Sequence, residues 1–467
     1  MRRSLALLLL VPAMAMAQAQ PLPRAVRDEL RAAHVPLDAV SVVVQDVEAS
    51  RPLLAWHGGE PRNPASVMKV VTSLAALELL GPAFRFHTDV FARGELHEGV
   101  LQGDLVIRGG GDPKLTYERL WQLAHQLRAR GVRDIRGDVI LDRSYFAPVA
   151  PDAGRFDGEP RRAYNVAPDP LLVNFQAVDF HFVPDGERVR VLAEPDFPGL
   201  QVASRVKPAE GACGAWRRGM SYDVQESGLA STVSFSGSYP AECGERTWPL
   251  ALLDPQRYFE AAFRWVWSEA GGTIAGHFRM DPTPASAWLL YRHESEPLAT
   301  IVRDMNKYSN NVMARHLFLA LSAEQGGPGE AQASARIVHA WLADQHIDDS
   351  TLTLENGSGL SRDERTSALL LARVLAAAWR SPVMPELAAS FPLVGVDGTL
   401  KTHPRTPVGG AHLKGGTLNG VQSAAGYVVD RSGHRWIVVM IMNHANANAA
   451  GGAIDALVDW VASGRPR

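Results

Sequence analysis

The sequence predicts an α+β fold in which an antiparallel sheet packs against helices and is interrupted by strand-rich inserted segments. Three observations carry this. Three apolar segments near the C-terminus, Ala411 to Leu418, Gln422 to Val429 and His434 to Met442, read as consecutive strands, with Ala453 to Ala462 as a covering helix. A run of helix formers follows Ser66 and stops at Gly81-Pro82, a strong termination signal. Between these ends, from about Pro168 to Trp248, the sequence alternates and is rich in turns, as half-buried strands require.

The elements follow in chain order. Met1-Arg2-Arg3, the apolar stretch Leu5 to Val11 and the small residues Ala15-Met16-Ala17 read as an export leader over residues 1–17. The apolar stretch is too short for a span of roughly 20 residues, and no later segment approaches that length, so no transmembrane span is expected in the mature chain. Removing Arg2 and Arg3 takes the formal charge from -3 to -5, which is mild for 467 residues and gives no reason to expect a nucleic-acid partner. The apolar helix from Ser66 should be buried. Short strands then appear at Gly103 to Arg108 and Gly137 to Asp142, with a helical period from Tyr117 to Arg130 between them. Val189 to Ala193 and Ser231 to Ser236 are strands of the turn-rich middle. Helices return at Asp254-Pro255, a cap followed by a first-turn proline, and again at Glu296 to Met305 and Asn311 to Ala323. The final three strands form a meander whose second turn is Asp430-Arg431-Ser432-Gly433.

The two cysteines, Cys213 and Cys243, both lie in the exported part, where oxidation is permitted. The even count favours one disulfide closing a loop of about 30 residues, stabilising by roughly 3 kcal/mol. Two buried free thiols are the alternative.

Three short motifs fall on these elements. In Ser66-Val67-Met68-Lys69, positions i and i+3 share a helix face, so the hydroxyl and amine can meet. Burial disfavours the charged amine, and a neutral Lys69 can act as a base toward Ser66. Ser309-Asn310-Asn311 sits on a connection between two helices, where a hydroxyl and a carboxamide can project into a cleft. Lys414-Gly415-Gly416-Thr417 lies on a strand, where glycines are unfavourable unless something approaches the backbone closely. A substrate laid along that strand is such a reason. The Thr417 N–H, with the Ser66 N–H, is placed to bind an oxyanion. Each motif alone has a plain reading as a helix cap with a snorkelling lysine, a capped turn and a strand bulge. Their combination points to acyl transfer by an active-site serine.

The three motifs together are the signature of the penicilloyl serine transferases. Within that group the chain resembles the class C low-molecular-mass penicillin-binding proteins, the D-alanyl-D-alanine carboxypeptidase/endopeptidase family. The resemblance runs through Asn63-Pro64-Ala65-Ser66-Val67-Met68-Lys69, Leu80-Gly81-Pro82, Gly109-Gly110-Gly111-Asp112-Pro113, Asn356-Gly357-Ser358-Gly359-Leu360-Ser361-Arg362 and Gly395-Val396-Asp397-Gly398-Thr399-Leu400. It implies a transpeptidase/β-lactamase-like catalytic domain (18–88 and 285–467) split by an inserted domain (89–165 and 246–284) that carries a nested strand-rich domain (166–245). It further implies a periplasmic serine DD-peptidase without metal or organic cofactor. The substrates would be peptidoglycan stem peptides with D-Ala-D-Ala ends, or their cross-links, and β-lactams would acylate the enzyme. On matching positions, Ser66 is the nucleophile and Lys69 its base. Ser309 relays a proton, Asn311 binds substrate or orients Lys69, and Lys414 attracts the terminal carboxylate. Gly416 and Thr417 face the substrate.

Two positions depart from the family pattern. Gly415 stands where a threonine usually helps hold the carboxylate, and Asn356 stands where aspartate is usual. Lys401-Thr402-His403 lacks the glycine and the meander and is set aside as a second strand motif. His412 reads as a structural or exposed histidine, and Gly109 to Lys114 as a turn, not a phosphate loop. A β-lactamase or esterase on the same fold, and a catalytically weak wall-binding scaffold, remain open at the level of sequence.

Overall fold

The last three strands need partners on their other side, and the N-terminal segment supplies them. In the computed structural model, which describes residues 21–148, 153–402 and 410–464, helix α1 (Arg24–Ala32) is followed by strands β1 (Val40–Asp46) and β2 (Leu54–Trp56). The expected leader and His403 lie outside the described residues. Helix α2 (Lys69–Leu79) then begins after a 3-10 turn over Ala65–Met68. From here the chain enters β3 (His87–His97), β4 (Val100–Gly109), α3 (Tyr117–Ala129), β5 (Asp134–Ile135) and β6 (Val139–Asp142). The turn-rich middle holds β7 (Ala177–Asp185), β8 (Arg188–Glu194), β9 (Leu200–Ala209), β10 (Met220–Ser227), β11 (Ala230–Pro240) and β12 (Arg246–Ala251). Helix α4 (Pro255–Glu269) follows, its first turn capped by the Asp254 side chain accepting from the Arg257 N–H at 2.9 Å. Then come β13 (Thr273–Ile274), β14 (Phe278–Met280) and β15 (Trp288–Glu294). The helices α5 (Leu298–Lys307), α6 (Asn311–Ala323), α7 (Ala331–Asp344), α8 (Ala368–Arg380) and α9 (Met384–Ser390) precede β16 (Ala411–Leu418), β17 (Val421–Val429), β18 (Arg435–Asn443) and α10 (Gly451–Ala462).

The principal sheet is antiparallel with order β16-β17-β18-β1-β2, and Val43 pairs with Val439 across its centre. Helices cover both faces, so its strands are apolar on both sides rather than alternating. Val42, Val44, Val438 and Met440 face the cluster containing α1 and α10. Val43, Ile437, Val439 and Ile441 face the cluster built by α2, α5, α6 and α8. Helix α2 lies inside that second cluster with every residue from Lys69 to Leu77 buried, as its apolar sequence requires.

A separate apolar cluster is drawn from residues between Val90 and Phe278. It underlies the mixed sheet β13-β5-β4-β3-β15, with β6 and β14 attached, and two smaller three-stranded sheets, β12-β7-β8 and β10-β11-β9. Phe180, Phe182, Phe235, Tyr239 and Trp248 interlock between the small sheets in edge-to-face, tilted and stacked contacts. Cys213 and Cys243 form a disulfide that joins the segment after β9 to the turn after β11. Among the described residues no helix is long and apolar enough to cross a membrane.

Candidate active site

The turn that carries Ser66 is fixed before α2 begins. Ala65 adopts φ +48°, a left-handed conformation uncommon for a residue with a β-carbon. Asn63 holds it there: its side-chain oxygen accepts from the Ala65 N–H at 2.9 Å, and its amide donates to the Ser361 carbonyl at 2.8 Å. The Asn443 side chain pairs with the Asn63 backbone in both directions. Two glycines let other segments reach this turn. A β-carbon on Gly359 would fall on the Ala65 carbonyl, and one on Gly416 would sit 2.5 Å from Ser423 Oγ and 2.9 Å from the Ser66 nitrogen. The glycine at 416 therefore answers the strand anomaly in the sequence: what approaches is the Ser66 turn.

One helical turn on, Lys69 is completely buried. Its Nζ donates to Ser66 Oγ at 3.0 Å, to Asn311 Oδ1 at 2.7 Å and to the Ser358 carbonyl. Burial pulls its pKa well below the ordinary lysine value, and the positive charge of Lys414 pulls in the same direction. An amine so placed gives up its proton more readily than an ordinary lysine and can take one from Ser66.

The opposite wall is made by Ser309 and Lys414. Ser309 has φ +56° in the connection between α5 and α6, where Asn310 caps α6 by accepting from the Met313 N–H at 3.0 Å. The cap turns Asn311 onto the first turn of α6 and leaves Ser309 facing β16. Lys414 is also completely buried, donating to Ser309 Oγ at 2.9 Å and to the Gly415 carbonyl. Burial brings its pKa down to about 7. Ser66, Ser309, Gly415, Gly416 and Thr417 share one cavity of about 280 Å³, which Leu400 also lines.

Strand β16 is the edge of its sheet. The N–H of Leu413 points outward to the Pro392 carbonyl at 3.0 Å. Alternate N–H groups of a strand share an edge, so the N–H of Thr417 also points outward, where no strand pairs with it among the described residues. The Thr417 side chain turns to Gln422 at 3.0 Å.

Comparison with known proteins bears directly on this arrangement. Residues 23–463 match the D-Ala-D-Ala carboxypeptidase 3 (S13) family. The chain belongs to that family. It is 29% identical over 433 residues to a D-alanyl-D-alanine carboxypeptidase of Actinomadura sp. (strain R39), covering 88% of this chain and 78% of the relative. It is similar in fold to the crystal structure of penicillin binding protein 4 (dacB) from Haemophilus influenzae, with TM-score 0.76 and 24% identity, over 94% of this chain and 99% of that one. The structure of the Haemophilus influenzae protein complexed with a β-lactam matches with TM-score 0.71 and 25% identity, over 90% and 93% of the two chains.

Other positions in this S13 chain resolve as follows. Lys401 and Thr402 are exposed in the segment after Leu400, whereas Lys69 and Lys414 are buried. His412 is half-buried, its Nδ1 3.1 Å from the Ala388 carbonyl, a structural contact. Asn356 accepts from the Ser358 N–H at 2.9 Å and donates to the Leu360 carbonyl at 3.1 Å, the second bond being one that an aspartate could not make. At Gly415 a β-carbon would meet only Leu400, at 3.5 Å, so the missing threonine leaves open space. Sequence reasoning missed the Ser358 carbonyl, a backbone group that no residue type announces. It also missed Lys307, whose Nζ ties α5 to the 391–397 segment through the Phe391 carbonyl at 2.7 Å and both oxygens of Asp397. The adjacency of Lys307 to Ser309 was the available signal.

Proposed function

We propose that the chain is a serine DD-peptidase that cleaves D-Ala-D-Ala ends, or the D-Ala cross-links made from them, through an ester on Ser66. The observation that carries this reading is the position of one buried amine, Lys69, in simultaneous reach of Ser66 Oγ and Asn311 Oδ1. Ser66 attacks the carbonyl preceding the terminal D-Ala, and its proton passes to Lys69. The tetrahedral oxyanion faces the N–H groups of Ser66 and Thr417. Collapse breaks the peptide bond and expels the terminal amine, which receives a proton through Ser309. Lys414, protonated in the complex, attracts the substrate carboxylate and orients Ser309. Asn311 holds Lys69 and the substrate amide. Water then cleaves the ester and restores Ser66. No metal or organic cofactor takes part in these steps.

β-Lactams offer the same carbonyl and would leave a stable acyl group on Ser66, and the β-lactam complex of the Haemophilus influenzae relative supports that expectation. The export leader expected at 1–17 and a wall substrate both support a periplasmic location. In this reading the catalytic domain is 18–88 with 285–467, the insert 89–165 with 246–284, and the nested domain 166–245.

A fluorescent penicillin tests the proposal. Stable labelling of the wild type and none of Ser66→Ala is the expected result. Rapid turnover of the drug would point instead to a β-lactamase. Failure to label, with no D-Ala released from a stem peptide, would leave a scaffold. Comparing D-Ala release from monomeric stems with cleavage of cross-linked dimers divides the carboxypeptidase from the endopeptidase activity.

A further inference from the structure

One buried carboxylate beside the site has no part in the steps above. Glu364 is fully buried in the segment before α8. Its Oε1 accepts the N–H groups of Glu355, Asn356 and Gly357 at 3.1, 2.9 and 2.8 Å, and its Oε2 accepts that of Gly359 at 2.9 Å. A run of main-chain N–H groups turned onto one anion is a nest, an anion-binding concavity of the backbone. Gly357 and Gly359 have φ of +70° and +79°, which permit the loop to curl around the carboxylate.

The loop so shaped touches the site at three places. The Ser358 carbonyl accepts from Lys69 Nζ. The Gly357 carbonyl accepts from Thr72 Oγ1 at 2.6 Å, one turn further along α2. Gly359 lies directly against the Ala65 carbonyl, beneath the Ser66 turn. We propose that Glu364 is a positioning residue for acylation: its carboxylate sets the 355–359 loop, and through the Ser358 carbonyl it aims the Lys69 amine at Ser66. The inference rests on the acyl-transfer reading of the site.

The charge of Glu364 has a second consequence. The charged groups that face Lys69 are Lys414 from β16, Arg315 from α6 and Glu364 from the loop; Glu355, on the same loop, faces Arg315. Of those facing Lys69, Glu364 alone is acidic and favours the ammonium form. Burial raises the Glu364 carboxyl itself, and the N–H bonds from the loop oppose that rise. Three N–H groups on Oε1 and one on Oε2 all donate to the carboxyl, which favours the ionised form. Removing the charge must therefore lower the pKa of Lys69 further.

Glu364→Gln keeps the volume and removes the charge. The chain has six lysines, so ε-13C-lysine labelling gives a spectrum in which Lys69 can be followed. The expected result is a Lys69 midpoint lower by about half a pH unit or more. The plateau rate of acylation by fluorescent penicillin should fall by about tenfold or more, with the acid limb of its pH profile moved the same way as the midpoint. A folded Glu364→Gln with an unmoved Lys69 midpoint, or with the wild-type plateau rate, overturns the proposal. If this variant does not fold, Glu364→Asp decides, because it keeps the charge but draws it back from the loop. A wild-type midpoint with a slower plateau is then expected, and a shifted midpoint or a wild-type rate overturns. Wild-type protein that takes no penicillin label would sink the acyl-transfer reading, whereas the Lys69 titration tests Glu364 whether or not the protein labels.

Discussion

Replacing Lys414 by methionine should make the protein more stable while abolishing its reaction with penicillin. Lys414 is completely buried and its pKa falls from 10.5 to about 7. At about 1.36 kcal/mol per pH unit, holding that ammonium in the folded state costs roughly 5 kcal/mol below pH 7. Because the folded pKa lies below the unfolded one, the unfolded chain binds the extra proton between about pH 7 and 10.5. Stability contributed by this group therefore rises with pH across that window and is constant below it. Methionine fills a similar volume without charge. It forfeits the bonds to Ser309 Oγ and the Gly415 carbonyl, which together contribute about 1–3 kcal/mol. It also relieves the repulsion that Lys414 exerts on Lys69. The net gain at pH 6 should be about 2 kcal/mol or more, shrinking to nothing or reversing at pH 10. Denaturant titrations of wild type and Lys414→Met at pH 6, 8 and 10 measure this directly, since groups shared by both proteins cancel in the difference. A variant no more stable than wild type at pH 6, or a gap that does not change with pH, would refute the reasoning.

Three further outcomes follow from distances in the site and the inserted sheets. Gly415→Thr should fold normally, since its β-carbon meets only Leu400, and a hydroxyl there should lower KM for a D-Ala-D-Ala peptide by about tenfold, the value of one hydrogen bond to a charged group; an unchanged KM would mean that Gly415 does not weaken carboxylate binding. Gly416→Ala should cost about 1–3 kcal/mol in unfolding experiments. Its acylation should slow by about 100-fold, because the added carbon displaces the Ser66 turn; wild-type labelling kinetics would contradict that contact. The double variant Cys213→Ser/Cys243→Ser should lose roughly 3–4 kcal/mol from a loop closure of 30 residues, yet label with penicillin at the wild-type rate, because the bridge lies in the cluster apart from α2 and β16; a folded variant that labels slowly would show the insert reaching the site.

What the sequence disclosed, and what it hid, divides along physical lines. Helices α2 and α6 and strands β16 to β18 were legible because local signals bound them: Gly81-Pro82 ends one helix, Asn310 caps another, and Asp430 to Gly433 turns the meander. The motif residues on them were legible for the same reason. Strands β1 and β2 were not read, although they complete the sheet. Being apolar on both faces, β1 has no alternation to mark it, and its partner β18 lies some 400 positions along the chain. The start of α2 was read one turn early, since Ala65–Met68 forms a 3-10 turn whose geometry depends on Asn63, Gly359 and Gly416. Glu364 was invisible in a different way. In the text it stands among Arg362, Asp363 and Arg365 and reads as a solvated charge, and only the folded loop turns four N–H groups onto it.

The same contrast explains why an exposed sheet edge survives in this fold. Unpaired edges invite association with other chains, and proteins keep them short or covered. Here the first half of β16 is covered by the 392–394 segment, through Leu413 to the Pro392 carbonyl and Val394 to the Ala411 carbonyl. That segment is fixed in turn by Lys307, two residues before Ser309, through Phe391 and Asp397. One lysine thus locks the strap on β16 to the helix end that presents Ser309, setting the distance between the two walls of the cleft. Among the described residues no strand pairs with the outer edge of the stretch from Gly415 to Leu418, beside Ser66. An extended peptide can add there as one more strand, its main chain bonded by the free edge and its reacting carbonyl brought to the Ser66 and Thr417 N–H groups. In the proposed mechanism the edge is therefore left bare only for the length of the substrate that must occupy it, and the glycine at 416 is the residue that brings that length within reach of the nucleophile.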